Sequence, residues 1–100
     1  MFSILWEYIV ESENQQEFET VYSPTGDWAE LFQRGKGYSG TELLKDAGTP
    51  GRYITIDHWS SMEDYEDFLS HYQAEYNALD DVTRNLTSQE TMIGRMETRV

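Results

Sequence analysis

The first ten residues alternate between two kinds of position. One parity holds aromatic or aliphatic residues throughout: Phe2, Ile4, Trp6, Tyr8 and Val10. The other parity mixes polar residues with Leu5 and Ile9. Alternation with a period of two and a high aromatic content predicts a β-strand over residues 2–10. Because the second parity is only half polar, we expect both faces of this strand to be covered.

Two helices are predicted after this strand. Ser12 stands three residues before Gln15, the spacing of a capping box at a helix start. Residues 23–26, Ser-Pro-Thr-Gly, interrupt that helix, and Asp27 is the predicted N-cap of a short second helix. The apolar residues of this second helix, at helical spacing, are Trp28, Leu31 and Phe32.

A β-hairpin follows these helices. Its strands are predicted over Tyr38–Lys45 and Arg52–Trp59, and the residues between them include a Gly- and Pro-containing turn at 47–51. Ser60 lies three residues before Glu63, which is again the spacing of a capping box.

The next segment has the three- and four-residue spacing of an amphipathic helix. The apolar stripe consists of Met62, Tyr65, Phe68, Leu69, Tyr72, Tyr76 and Leu79. It predicts one long helix that reaches Leu79 or Leu86. A last strand is predicted over residues 90–97, where Met92, Gly94 and Met96 alternate with their neighbours.

The predicted order β-α-β-β-α-β, with one extra short helix, corresponds to an α+β fold of the ferredoxin-like type in one domain, residues 1–100. Its four-stranded antiparallel sheet carries the helices on one face. The other face holds apolar residues whichever parity of the first and third strands points outward. An exposed apolar face of this size indicates an interaction surface, so we expect a homodimer that pairs its sheet faces.

Composition excludes several function classes. The chain has 7 basic and 19 acidic residues, a formal net charge of −12, so nucleic acids and anionic membranes are not expected partners. It has no Cys, which excludes disulfides and thiolate metal sites. No signal-peptide pattern or membrane-length apolar run occurs, so we expect a cytoplasmic protein. The acidic run at 63–67 lacks the spacing of a calcium loop and complements a helix dipole, so no metal site is predicted.

The chain resembles the antibiotic biosynthesis monooxygenase domain of the dimeric α/β-barrel superfamily. The residues that carry the resemblance are Glu17 and Phe18, Gly26 to Ala29 with Leu31 and Phe32, Gly37 and Tyr38, Gly40 to Leu43, Arg52 and Tyr53 leading to Asp57, Trp59 and Ser60, Glu75 and Tyr76 with Leu79, and Ile93 and Gly94. Nearly the whole chain is covered. The resemblance implies a dimeric barrel built from two such sheets.

The resemblance also implies an activity. Characterised oxygenases of this family use neither flavin nor metal, so no cofactor is expected. They bind a small phenol-, quinol- or anthrone-like substrate between sheet and helices, deprotonate it and let the carbanion reduce oxygen. The rings that can line such a pocket are Trp6, Tyr8, Trp28, Phe32, Trp59, Tyr65 and Phe68. His58 is the preferred base, because the unperturbed pKa of His lies near neutrality, and Asp57 is the fallback; His71 lies off the apolar stripe of its helix.

Two readings from other classes stay open. The same scaffold serves a non-catalytic small-molecule binding or sensing domain, or a structural dimerisation module. A buried His or Asp at the base of a pocket favours an enzyme, whereas a filled interior favours the structural reading. The haem-degrading branch of the superfamily is not expected, because the positions of its haem-ligating His and ring-distorting Trp hold Ala78 and Phe68 here.

Overall fold

The structure, a computed structural model, describes residues 1–99; Val100, the last residue of the predicted domain, lies outside the described residues. Within residues 1–99, four strands and four α-helices follow one another. They are β1 (Phe2–Ile9), α1 (Gln15–Val21), α2 (Asp27–Phe32), β2 (Tyr38–Lys45), β3 (Arg52–Trp59), α3 (Met62–His71), α4 (Gln73–Thr83) and β4 (Gln89–Glu97). Short 3₁₀ turns precede α1 at Ser12–Asn14 and follow α4 at Arg84–Leu86.

The strands form one antiparallel sheet in the order β2-β3-β1-β4. The predicted α+β, ferredoxin-like fold is confirmed, and the strands of the hairpin have the predicted bounds. Directly opposite residues of antiparallel neighbours point to the same face of a sheet. Asp57 is therefore on the same face as Ile4 of β1 and Thr41 of β2, its partners in register.

The helices cover one face of the sheet, which we call the helix face. Residues of β3 alternate strictly between buried and half-buried positions, and the buried ones are Tyr53, Thr55, Asp57 and Trp59. The other face, which we call the open face, carries the half-buried Ile54, Ile56 and His58. On β1 the parity of Phe2 and Ile4 points to the helices and that of Leu5 and Ile9 points to the open face.

Aromatic rings fill the space between sheet and helices. Trp59 is fully buried and its ring centroid lies 5.3 Å from that of Phe68 and 5.6 Å from that of Tyr65. Phe18 of α1 stacks on Tyr22 at 4.3 Å and packs against Tyr53 at 4.8 Å. Such pairs stabilise by about 0.5–1.5 kcal/mol each beyond the burial of their area. A small chain thus builds its core largely from rings.

Helix starts differ in detail from the capping predictions. The side chain that caps α3 is Ser61, whose Oγ accepts a hydrogen bond from the Asp64 amide at 3.1 Å, so Ser60 is not the cap. The N-cap of α2 is Gly26, in extended conformation, and Asp27 is the first helical residue. At the start of α1 the Gln15 side chain donates instead to the Val10 carbonyl at 3.3 Å.

The prediction of a single long helix after the hairpin is wrong in one respect. The helical segment is interrupted at Tyr72, where φ is −119° and ψ is 26°, so α3 and α4 are separate helices. The apolar spacing continues through this residue, so the pattern alone did not indicate the interruption. On α4, Tyr76 packs against Trp28 of α2 with ring centroids 5.0 Å apart.

Strand β4 is an exposed edge strand with a bulge. Its register against β1 shifts between Leu5 and Trp6, so Gly94 is opposite Leu5 whereas Met92 is opposite Trp6. Met92 and Gly94 therefore point to opposite faces, contrary to the simple alternation expected from the sequence. Among residues 1–99, no helix has the length and apolar character needed to cross a bilayer.

The hairpin between β2 and β3 depends on Gly51. Its φ of 84° lies in the left-handed region, and its carbonyl accepts a hydrogen bond from the Val10 amide at 2.8 Å. A Cβ on this residue would lie 2.7 Å from the Val10 carbonyl oxygen. Glycine is therefore required both by conformation and by the close approach of the two backbones.

Candidate active site

A cavity lies between the centre of the helix face and helices α2 and α4. Its empty volume is about 490 Å³, including the part that is open to solvent. The centre of a water molecule can occupy about 40 Å³ of this volume. The ring-bearing residues of its wall are Trp6, Tyr8, Tyr22, Trp28, Phe32 and Tyr76. The cavity is thus a narrow, ring-lined cleft, the kind of concave apolar site in which ligands bind.

Asp57 is the buried acidic group of this cavity. Its residue surface is 7 % exposed, and its Oδ1 accepts a hydrogen bond from Thr41 Oγ1 at 2.7 Å. Burial raises the pKa of its carboxyl to about 6, although the Thr41 hydrogen bond and the nearby His58 act in the opposite direction. A carboxyl with this pKa exchanges a proton with a bound molecule near neutral pH.

A second hydroxyl extends this contact toward the edge of the sheet. Tyr38 Oη lies 2.5 Å from Thr41 Oγ1. Because the Thr41 hydroxyl donates its proton to Asp57, Tyr38 is the donor in the bond to Thr41. The two hydroxyls hold the orientation of the carboxyl, and Tyr38 is partly exposed at its outer end.

Three tyrosines around Asp57 remain protonated at neutral pH. Burial is the largest cause that raises the pKa of Tyr8, Tyr22 and Tyr76. The negative charge of Asp57 raises the pKa of Tyr8 and Tyr76 further. The phenols of Tyr8 and Tyr76 can donate hydrogen bonds to a ligand oxygen, whereas the Tyr22 hydroxyl already donates to Thr83 Oγ1 at 3.4 Å. None of the three acts as a base in this pH range. The indole nitrogen of Trp28, a residue of the cavity wall, is buried and makes no hydrogen bond to any described residue.

Four of the seven predicted substrate-binding rings line the cavity: Trp6, Tyr8, Trp28 and Phe32. The structure corrects the placement of the other three. Trp59, Tyr65 and Phe68 are buried in the core beside the cavity, where they pack on one another. Their rings fill the space between α3 and β3 and so support the wall of the cavity from the side of the core.

The two histidines lie away from the cavity. His58 is on the open face, where its Nδ1 lies 2.8 Å from Ser3 Oγ and its Nε2 lies 2.7 Å from Glu42 Oε2. The geometry therefore does not support His58 as the base, because the sheet separates it from the ring-lined cleft. His71 is exposed at the end of α3, with Nδ1 2.8 Å from the Asp67 carbonyl oxygen.

A sequence model of the family described as antibiotic biosynthesis monooxygenase matches residues 1–76. The chain belongs to this family. The resemblance noted from the sequence is thereby confirmed over most of the chain.

Solved structures share the fold at low sequence identity. SnoaB, a cofactor-independent oxygenase from Streptomyces nogalater, is 21 % identical with a TM-score of 0.73, and the match covers 99 % of this chain and 93 % of SnoaB. MhuD, a haem-degrader from Mycobacterium tuberculosis with two haems bound in its active site, is 16 % identical with a TM-score of 0.73, covering 100 % and 97 %. No curated protein sequence matches this chain. At these identities the structural likeness establishes the fold.

Several lining residues were not identified from the sequence of this family member. Thr41 could have been found, because hairpin register places it opposite Asp57. Tyr76, Asp80 and Glu90 reach the cavity through the packing of α4 and β4, which local pattern does not specify. Within residues 1–99, no cluster of His, Asp or Glu has the geometry to hold a metal ion.

A second groove lies where the two ends of the chain meet the start of α3. Its wall includes Phe2, Ser60, Ser61, Glu63 and Arg99. About 240 Å³ of it is open to the centre of a water molecule. It has a polar wall, and its residues are mostly exposed, so it lacks the buried titratable group and the rings of the first cavity.

Proposed function

We propose that this protein is a cofactor-independent monooxygenase that oxidises a small phenol-, quinol- or anthrone-like substrate in the ring-lined cavity, with Asp57 as the general base. The observation that carries the proposal is the carboxyl of Asp57, buried at the cavity wall with its pKa raised to about 6. Membership of the antibiotic biosynthesis monooxygenase family supports the same reaction class.

The first step is proton removal. Above about pH 6 the Asp57 carboxylate is ionised and accepts a proton from the acidic C–H or O–H of the substrate. Thr41 holds the carboxyl in place, and the protonated phenols of Tyr8 and Tyr76 donate hydrogen bonds to the substrate oxygen, where negative charge accumulates. The narrow cleft excludes water from the resulting carbanion.

Molecular oxygen is then the oxidant. The carbanion gives its electron pair to O₂ and forms a carbon–oxygen bond, and the peroxide anion takes the proton held by Asp57. Loss of water from the hydroperoxide leaves a carbonyl, so that a CH₂ group and O₂ become C=O and H₂O. The substrate supplies all the electrons, so no external reductant enters the balance.

We also propose that two copies pair through their open faces. This face carries Leu5, Ile9, Ile54 and Ile56, and Leu44 is 47 % exposed at its edge. An apolar sheet face of this kind destabilises an isolated protomer, and pairing removes it from water. An obligate interface should bury about 2,000 Å² or more in total. His58, with Ser3 and Glu42, would then be a polar contact of the interface.

One observation favours the alternative of a structural dimerisation module. The space that water centres can occupy is about 40 Å³, so a substrate with several fused rings enters only if α2 or α4 moves. A ligand pocket for a drug-sized molecule is typically about 300–1,000 Å³. Failure of all phenols, quinols and anthrones to bind would support this reading, whereas binding without turnover would support a non-catalytic binding or sensing domain.

Oxygen uptake with a panel of anthrones, quinols and catechols tests the proposal. For any substrate that is consumed, Asp57→Asn should lower the turnover rate by ~10²–10⁴, the usual contribution of a general base. His58→Gln is the matched control and should leave the rate within about twofold of the parent, because His58 lies across the sheet. Unchanged turnover in Asp57→Asn, or a large loss in His58→Gln, would contradict the assignment of the base.

A further inference from the structure

The wall of the candidate cavity combines aromatic rings with three carboxylates. Asp57 is the buried one, whereas Asp80 of α4 and Glu90 of β4 occupy its more exposed part. Among the described residues that line the cavity there is no Lys, Arg or His. The charged side chains of the cavity wall are therefore all acidic.

The two outer carboxylates are only partly neutralised. Arg84 Nη2 lies 3.5 Å from Asp80 Oδ2 but 2.7 Å from Asp81 Oδ1, so this exposed guanidinium is shared with a residue outside the cavity. Burial raises the pKa of Glu90, and repulsion from Asp80 raises it further, while Arg84 lowers it. A positive group placed between Asp80 and Glu90 would relieve this repulsion.

The rings of the wall favour the same kind of ligand. Trp28 and Tyr76 meet edge to face with centroids 5.0 Å apart, and Trp6 lies beside Tyr8 at 6.4 Å. The faces of such rings attract ammonium groups, and the attraction is strongest where water is excluded. Carboxylates alone would also attract metal ions, but the combination of carboxylates and ring faces is suited to an organic cation.

We propose that this cavity selects substrates carrying an ammonium group next to an aromatic ring and rejects their carboxylate analogues, with Asp80 and Glu90 as the residues that determine this selectivity. The inference rests on the proposed function insofar as both use one cavity. Asp57 would face the ring that reacts, while Asp80 and Glu90 would face the ammonium group. A ligand carboxylate at that position would be repelled by both outer residues.

Three phenols of similar size and different charge test this inference by calorimetry. They are 4-(2-aminoethyl)phenol, which is cationic, 4-(2-hydroxyethyl)phenol, which is neutral, and 4-hydroxyphenylacetate, which is anionic. The ammonium compound should bind at least about tenfold more tightly than the neutral one, because 1.4 kcal/mol of electrostatic and cation–π attraction gives that ratio. The anion should bind most weakly.

A matched pair of double variants separates the cavity from the net charge of the chain. Asp80→Asn with Glu90→Gln should reduce the preference for cation over anion by at least about tenfold. Asp67→Asn with Glu66→Gln removes the same charge from exposed positions of α3 and should leave the preference nearly unchanged. Equal loss in both double variants would assign the preference to the overall charge and overturn the proposal.

The outcome is independent of oxygen uptake. If the cation is preferred but no substrate is oxidised, the selectivity stands and the oxygenase proposal fails. If oxygen is consumed with neutral or carboxylated phenols while the ammonium compound binds no better, the selectivity proposal fails and the oxygenase stands. Absence of measurable binding of the ammonium compound at millimolar concentration also overturns the inference.

Discussion

Replacing Asp57 with Asn should stabilise the folded protein at neutral pH, although it removes the proposed base. Asn keeps the shape of the side chain and still accepts the hydrogen bond from Thr41. What it removes is a negative charge in a site that is 7 % exposed. Burial of this carboxyl raises its pKa into the range needed for proton transfer, and the same burial lowers the stability of the parent protein at neutral pH.

The magnitude follows from the pKa. Burial raises the pKa of Asp57 from 3.8 to about 6 in the folded state, so the folded protein holds this proton more tightly than the unfolded chain does. Binding of this proton therefore stabilises the folded parent protein fully below about pH 4, and the stabilisation is lost as the pH rises through about 6. A gap of about two pKa units corresponds to roughly 3 kcal/mol. The free energy of unfolding of Asp57→Asn minus that of the parent should therefore rise with pH. Relative to pH 3, this difference should be larger by about 1.5 kcal/mol at pH 5 and by roughly 3 kcal/mol at pH 7.

Urea unfolding at these three pH values, followed by tryptophan fluorescence at one protein concentration, measures the difference between variant and parent. Other titrating groups are common to both proteins and cancel in that difference. Asp67→Asn on the exposed surface of α3 is the control and should change the free energy of unfolding by less than about 0.5 kcal/mol at each pH. A difference for Asp57→Asn that does not grow with pH would refute the argument for a buried carboxyl with a raised pKa.

Four further outcomes can be checked. Trp59→Ala and Phe68→Ala should each lower the free energy of unfolding by roughly 3–5 kcal/mol, because both rings are buried in the core; a parent-like denaturation midpoint would contradict this. Ile54→Lys on the open face should convert the proposed dimer to monomer in sedimentation, whereas a parent protein that sediments as a folded monomer at micromolar concentration would rule out this dimer. Gly51→Ala should destabilise by about 1–3 kcal/mol, while Gly48→Ala, whose Cβ would meet nothing nearer than 3.6 Å, should be tolerated. Haem, which carries two carboxylates, should produce no saturable change in absorbance when titrated into the protein, and a one-to-one binding curve would contradict that expectation.

The strands were predictable because alternation is a local property of the sequence. Both hairpin strands have the predicted bounds, and the alternation on β3 correctly separates His58 from Asp57. The pattern did not reveal which of these two faces the helices cover, because Ile54 and Ile56 are as apolar as the residues of the opposite parity. The choice between the two candidate bases therefore depended on tertiary packing.

The remaining differences have the same origin. The interruption at Tyr72 and the bulge in β4 leave the apolar spacing intact, so neither has a local signal. Asp80 and Glu90 are acidic residues in a chain with many, and only the packing of α4 and β4 brings them to the cavity. Thr41 is the exception, since its register opposite Asp57 follows from the length of the hairpin turn.

The interruption at Tyr72 divides the helical layer into two helices that serve different regions of the molecule. α3 places Phe68 against Trp59, so substitutions there alter the core. α4 begins at Gln73 and contributes Tyr76 and Asp80 to the wall of the cavity. Substitutions in α4 beyond Tyr76 can therefore alter the outer part of the cavity while Phe68 of α3 stays packed on Trp59.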